Sequence, residues 1–233
     1  MSIAFTVPDE SSTRAHYETH AVSLPARSFT GDFYSAMSAR DGGLVFALGD
    51  VAGKGLDAAV MMAMLQEQLE LLVAERRDPR VADLVAAIHE VASEEMPSNK
   101  FATLVVGRLC NEGYVRMVNA GHAPPVILRA DGAIETIGST GPVVGLIRGS
   151  AWRVHDAMLA PGDSLILYSD GVTEAESPEE QELGVEGVRV ALLGHEGADA
   201  ATLVRHVLDA AVRHRGGAPQ ADDTTVMVVR RVG

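Results

Sequence analysis

Two hydrophobic periods alternate along this chain, and their changes mark its elements. Leu44 to Leu48 is a continuous apolar run that ends in Gly49-Asp50 and the glycine-marked turn Val51-Ala52-Gly53-Lys54-Gly55. That pattern predicts a buried strand delivering a carboxylate to a sheet edge, where a loose backbone lets an ion or phosphate approach closely. Leu56 to Leu72 predicts a helix of good helix formers, apolar nearly all round and therefore mostly buried, with Met61, Met62 and Met64 filling gaps in the core. Asp78-Pro79 breaks it and opens a second helix whose apolar stripe is Val81, Leu84, Val85, Ile88 and Val91, with Pro97 beyond its end.

Upstream, Leu24-Pro25-Ala26-Arg27 leads into the turn Gly31-Asp32-Phe33-Tyr34, and Asp41-Gly42-Gly43 predicts a hairpin that puts two acidic turns on one antiparallel pair. Residues 1–18 show no firm periodicity and read as a leader segment; 19–233 read as a single domain. From Phe101 onward the punctuation predicts an antiparallel meander: Phe101 to Cys110, Tyr114 to Asn119, Val126 to Arg129 and Ile134 to Ile137. Asn119 to Pro125 and Gly141 to Leu146 read as shaped loops. Trp152 to Met158 and Ser164 to Tyr168 predict a strand pair across Ala160-Pro161-Gly162-Asp163, the second strand delivering Asp170. Thr173 to Glu182 is an acidic solvated loop, Val188 to Leu193 and Ala200 to Val212 are helical, and Thr224 to Val229 is a closing strand.

With 233 residues, 47% hydrophobic and 22% charged, the chain can bury a sizeable core. Its 32 acidic against 19 basic residues give a net charge of −13, which opposes binding to nucleic acid or an anionic membrane. Neither a signal peptide nor a membrane span is visible, and Cys110 alone cannot build a disulfide framework, so a reducing cytoplasmic setting is expected, with Cys110 a structural thiol.

The candidate chemistry lies in four carboxylate turns, at Asp32, Asp50, Asp170 and Asp222-Asp223. An aspartate in a turn is ordinarily a turn former, and Asp41 and Asp131 read as that. Asp50, Asp170 and Asp222 differ because apolar strands adjoin each, so a sheet can bring them to one edge. Strand-end carboxylates with few His or Cys suit hard cations such as Mg²⁺ or Mn²⁺. Gly49 to Gly55 is not a Walker A loop: the glycine spacing is one short, and Gly55 rather than Ser or Thr follows Lys54. His122, beside two prolines, reads as a hydrogen-bonded structural residue.

The motifs in this order resemble the SpoIIE-like branch of the metal-dependent protein phosphatases, the protein phosphatase 2C (PP2C, or PPM) class, from about Leu24 to Val229. The resemblance rests on Pro25-Ala26-Arg27 with Gly31-Asp32-Phe33-Tyr34, Gly49 to Gly55 with Ala58-Ala59, and Asn119-Ala120-Gly121-His122-Ala123-Pro124-Pro125. Gly141 to Leu146, Pro161-Gly162-Asp163, Tyr168-Ser169-Asp170-Gly171-Val172-Thr173-Glu174-Ala175 and Asp222-Asp223-Thr224-Thr225-Val226 complete it. It implies an α+β fold, a four-layer α-β-β-α sandwich of two antiparallel sheets flanked by helices. It also implies two Mn²⁺ or Mg²⁺ ions: Asp50 bridging both, the Val51 carbonyl and Asp32 at the second, Asp170 and Asp222 at the first. Asp50, Asp170 and Asp222 would thus be catalytic, and Arg27 is a candidate for the substrate phosphate by charge and position.

The implied activity is hydrolysis of phosphoserine or phosphothreonine by a metal-activated water, without a phosphoenzyme. The implied substrate is a phosphorylated STAS-domain anti-sigma-factor antagonist in bacterial partner switching. Helices over 56–96 would couple partner binding to metal-site order, with regulation by an activator protein or a homodimer. Ser35 stands where the family often has a second aspartate, and Ala52 where larger members of the class have a histidine. Ser35 supports a rival reading, a catalytically silent PP2C-fold module that docks a signalling partner; a small-molecule phosphomonoesterase is a third.

Overall fold

The computed structural model describes residues 16–76 and 78–233. In chain order the elements are β1 (Tyr17–Leu24), β2 (Asp32–Ser38), β3 (Leu44–Val51), α1 (Leu56–Glu75), α2 (Val81–Glu95), β4 (Ala102–Leu109), β5 (Tyr114–Ala120), β6 (Val126–Leu128), β7 (Ile134–Thr136), β8 (His155–Met158), β9 (Ser164–Tyr168), α3 (Asp170–Thr173), α4 (Gly184–Leu192), α5 (Ala200–Arg215) and β10 (Thr224–Arg231). The leader expected over 1–18 lies mostly outside the described residues, and its last two, Tyr17 and Glu18, open β1. Contacts divide the chain into two compact units. One comprises Ser28–His122 and Gly138–Met158; the other takes the residues up to Arg27, Ala123–Ile137 and Leu159–Gly233. They are called here the Asp50 unit and the Asp170 unit.

The Asp50 unit is a five-stranded sheet in the order β2-β3-β4-β5-β8, antiparallel throughout. Side chains alternate across a strand, so Val45, Ala47 and Val51 of β3 and Ala102, Leu104 and Val106 of β4 share the face that packs against Leu65 and Leu69 of α1 and Leu84 and Ile88 of α2. Asp50 is left on the other face. The hairpin predicted at Asp41-Gly42-Gly43 joins β2 to β3, and the α2 stripe is buried as expected except at Val91, which is partly covered.

The expectation that α1 is mostly buried is corrected. Only Ala58, Leu65, Leu69 and Val73 are fully covered, with Met61, Met62, Met64 and Leu72 partly packed; Leu56, Val60 and Leu71 stand 59%, 54% and 50% exposed. The helix presents one face to β2, β3 and α2, and an all-round apolar sequence does not dictate an all-round burial.

The Asp170 unit is a five-stranded antiparallel sheet in the order β1-β10-β9-β6-β7. Val126, Ile166, Tyr168, Val226 and Val228 pack against Val188 and Leu192 of α4 and the buried face of α5. The α5 helix is well terminated: the Asp199 carboxylate accepts from the Thr202 amide at 2.7 Å, and Gly216 ends it in the left-handed region.

Two sequence expectations about pairing fail together. The meander stops after β5, because β6 belongs to the other sheet; the predicted pairing of the Trp152–Met158 strand with β9 does not form either, since β8 pairs with β5 and β9 lies between β6 and β10. Local chemistry accounts for both. After β5 the Asn119 side chain closes a loop on itself, Oδ1 accepting from the His122 amide at 2.8 Å and Nδ2 donating to its carbonyl at 3.1 Å, and Pro124-Pro125 offer no donors to continue a ladder.

After β8, the buried Asp163 carboxylate gathers the Ala160 and Ala130 amides, each at 2.9 Å, and the Arg129 guanidinium at 2.8 Å, so the turn folds onto the β6–β7 connection. Asp163→Ala strips three donors of their acceptor and leaves Arg129 without one partner. Chemical denaturation of this variant should show a loss of about 3 kcal/mol, within the range for breaking a buried ion pair.

Candidate active site

The antiparallel ladder sets the carboxylates of the Asp50 unit. Asp32 is the direct cross-strand partner of Asp50, and Asp50 on its other side faces Thr103 of β4. Cross-strand partners share a face, so the two carboxylates and the Thr103 hydroxyl form one row on the sheet face away from α1 and α2. Asp32 is buried and Asp50 half-buried. Thr103 Oγ1 lies 2.7 Å from His122 Nδ1, so the row continues into the Asn119–His122 loop, and the buried His122 is a hydrogen-bonded residue as expected.

The Val51 amide donates to the Gly31 carbonyl at 3.2 Å. A side chain at Gly31 would begin 3.0 Å from the Val51 carbonyl oxygen and 3.2 Å from Asp50 Oδ1. Its absence leaves these two oxygens side by side over a bare α-carbon, a cradle that a methyl group would fill.

The Asp170 unit carries an acidic group of its own. Ser169, at the end of β9, is laced to the start of β10: its amide donates to the Thr225 carbonyl at 2.9 Å, its hydroxyl accepts from the Thr225 amide at 2.9 Å, and the same hydroxyl reaches the Asp223 carbonyl at 3.2 Å. Asp170 and Asp222 are thereby held on adjacent turns. A Cβ on Gly171 would fall well inside contact distance of the Asp223 carbonyl oxygen, so only glycine permits this approach. The neighbouring Asp223 has a different task, its carboxylate accepting from the Ala26 amide at 2.8 Å.

Glu174 joins this group, one helical turn after Asp170, with its amide donating to the Asp170 carbonyl at 2.7 Å. Burial first, and then the Asp170, Glu182, Asp222 and Glu176 carboxylates, hold its carboxyl above the usual carboxylate range. Sequence reasoning passed over Glu174, though its spacing of four from Asp170 carried the signal; Thr103 had no signal short of the β3–β4 register. The acidic segment after it is a closed turn, with Ser177 N donating to the Gln181 carbonyl at 2.9 Å and that carbonyl also meeting His214 Nε2 at 2.7 Å.

Two further residues are placed as follows. Arg27 stands exposed just after the Ala26 contact. Ser35 is three residues from Asp32 and so lies on the opposite face of β2, where its hydroxyl donates to Glu70 Oε1 of α1 at 2.9 Å and accepts from Gln66 at 3.2 Å. The residue that departs from the family pattern therefore faces α1 rather than the Asp32–Asp50 row.

The donor set is carboxylate and carbonyl oxygen, which suits a hard cation. Among the described residues no three His, Cys, Asp or Glu side chains form a ready-made cation group. Mg²⁺ does not require one, since it is ordinarily held by one or two carboxylates with several waters and substrate phosphate. The residues present fit such an ion.

The sequence profile of the SpoIIE family, stage II sporulation protein E, matches residues 40–232. The chain belongs to the SpoIIE family. Among its relatives are the protein IcfG of Synechocystis sp. (strain ATCC 27184 / PCC 6803 / Kazusa), 30% identical over 92% of this chain and 38% of that protein, and the phosphoserine phosphatase RsbU of Bacillus subtilis (strain 168), 26% identical over 91% and 62%. This SpoIIE-family chain thus spans less than two thirds of the length of either relative.

Its fold is that of PP2C domains: it superposes on the PP2C phosphatase domain of SpoIIE from Bacillus subtilis with a TM-score of 0.79 (23% identity, 93% of this chain, 63% of that one). On the catalytic domain of the serine/threonine phosphatase PstP, solved in complex with 2 manganese ions, the score is 0.70 (18% identity, 94% and 99%). The α+β expectation is met by two antiparallel five-stranded sheets, each with helices packed on it.

Gly171→Ala tests how the acidic group of the Asp170 unit is built. The added methyl must push the Asp222–Asp223 backbone away, at a cost of roughly 1–3 kcal/mol. Hydrogen exchange should show the Thr225 amide, now bound to Ser169, losing protection beyond the loss of global stability.

Proposed function

We propose that this chain is a metal-dependent protein serine/threonine phosphatase. The observation that carries the reading is Asp50 paired opposite Asp32 in the β2–β3 ladder, with the Val51 carbonyl beside it over Gly31. In this reading Asp50 would serve both of two Mn²⁺ or Mg²⁺ ions, Val51 and Asp32 would hold the second, and Asp170 and Asp222 would hold the first. When bound, the ions supply an activated water for in-line attack on phosphorus and neutralise the charge that develops on the phosphoryl oxygens.

The chain's own residues do the rest. Thr103 and His122 fix the β4 side of Asp50, so its carboxylate has little freedom to swing out of the row. The Ser169 lacing fixes Asp170 against Asp222, and the crowding of carboxylates around Glu174 stores repulsion that a cation relieves. Arg27 is exposed on the turn held by Asp223, where it is available to an incoming phosphate. Phosphoserine is favoured as substrate because RsbU is named for that activity, and a phosphorylated STAS-domain antagonist of an anti-sigma factor is the proposed carrier. An activator protein or a second copy of the chain would regulate it. The described residues include no helix long and apolar enough to cross a membrane. The proposed site of action is the cytoplasm.

The test is Mn²⁺-dependent phosphate release from a phosphoserine protein, with wild type beside Asp50→Asn and Asp170→Asn. Turnover should fall by about 10²-fold or more in each variant and stop on chelation in the wild type. A folded wild type that binds no Mn²⁺ by calorimetry and releases no phosphate would instead support a silent docking module.

A further inference from the structure

The Asp50 unit holds a cation that none of the foregoing uses. Lys100, in the loop before β4, reaches back across the glycine turn, and its Nζ donates to the Ala52 carbonyl at 3.0 Å. The Ala52 amide is held by the Phe101 carbonyl at 2.9 Å, so both backbone groups of the residue two after Asp50 are fixed by the Lys100–Phe101 segment. The side chain occupies the space beside Gly53: a Cβ there would overlap Nζ and lie 3.4 Å from Cε. Gly53 also has φ +120°, so the turn supplies both the backbone form and the room that the ammonium needs.

A lysine ammonium has three donors, and Ala52 takes one. Among the described residues no carboxylate forms an ion pair with it. In a chain with 32 acidic residues, a half-buried lysine that closes on a neutral carbonyl rather than on an acid is unusual. A loop clamp alone needs only a neutral donor. What the charge adds, on the turn two residues after Asp50, is attraction for an anion with several oxygens. Lysine binds phosphate as a point charge with rotatable donors.

We propose that Lys100 is a binding residue for a tetrahedral phosphoryl dianion at the Asp50 site, holding it by charge-assisted hydrogen bonds from the two donors that Ala52 leaves. The inference rests on the phosphatase reading for its biological ligand, which is either the phosphoseryl group of the substrate or the inorganic phosphate released from it.

The test measures inorganic phosphate binding by calorimetry, in the presence of Mn²⁺, for wild type, Lys100→Gln and Lys100→Met. Glutamine keeps a donor for the Ala52 carbonyl and removes the charge; methionine removes both. Phosphate affinity should fall about tenfold or more in both variants. A fall in Lys100→Met alone would make the residue a loop clamp and overturn the proposal, as would unchanged affinity in both or no phosphate binding to the wild type.

Turnover of a phosphoserine peptide separates the two ligands: a KM that rises with the phosphate dissociation constant assigns Lys100 to substrate and product, and a rise in the phosphate constant alone assigns it to product. Because binding is read without turnover, an inactive wild type would count against the phosphatase reading and leave the Lys100 result standing on its own.

Discussion

The antiparallel register of β2, β3 and β4 is the constraint on which the Asp50 site depends. Asp32, Asp50 and Thr103 stand side by side only because Phe33 pairs with Gly49 and Leu104 with Gly49 on the other edge. A slip of one residue would turn Asp50 toward α1 and α2 and bring Val51 out of the core, exchanging a buried apolar side chain for a buried charge. The core under the helices thus fixes the chemistry on the opposite face. Ser35 obeys the same alternation, which is why a departure from the family pattern three residues from Asp32 affects the contact with α1.

The Asp170 unit solves a different problem, that of holding acidic side chains near each other without a cation in the covalent structure. Backbone bonds from Ser169 to Thr225 and the close pass of Gly171 under Asp223 set the spacing, so the repulsion does not fall on flexible side chains alone. Adjacent aspartates divide the work: Asp223 is spent on the Ala26 amide, and Asp222 remains in the group felt by Glu174. Charge is concentrated where geometry is most rigid.

Much of this was legible in the sequence, and the failures share a cause. Strand-ending carboxylates, the Asp41-Gly42-Gly43 hairpin and the α2 and α5 stripes follow from local rules of period and turn chemistry, and they were read correctly. Pairing partners do not. The loop at 119–125 reads as shaped and the turn at 160–163 as a reversal, yet neither reading says which strand comes next to which: the Asn119 and Asp163 side chains bind their own loops and send the chain to a different sheet. The exposed side of α1 escaped for a similar reason, since its first turns are apolar nearly all round and only its neighbours decide which face is covered. Lys100 gains its significance from a contact across a turn and Thr103 from a register between strands, neither of them a property of a short window, whereas Glu174 stood within sight of Asp170, four residues on.

One feature of the topology bears on how the chain is made. Among the described strands β1 pairs only with β10, Tyr17 with Arg231 at one end and Leu24 with Thr224 at the other. The first described strand therefore waits for a partner some two hundred residues later in the chain before its sheet can close. Contacts this distant in sequence are slow to form, and until they do the apolar edge of β9 is open to other chains. Asp170 and Asp222, which adjoin β9 and β10, are held together only once those two strands have paired.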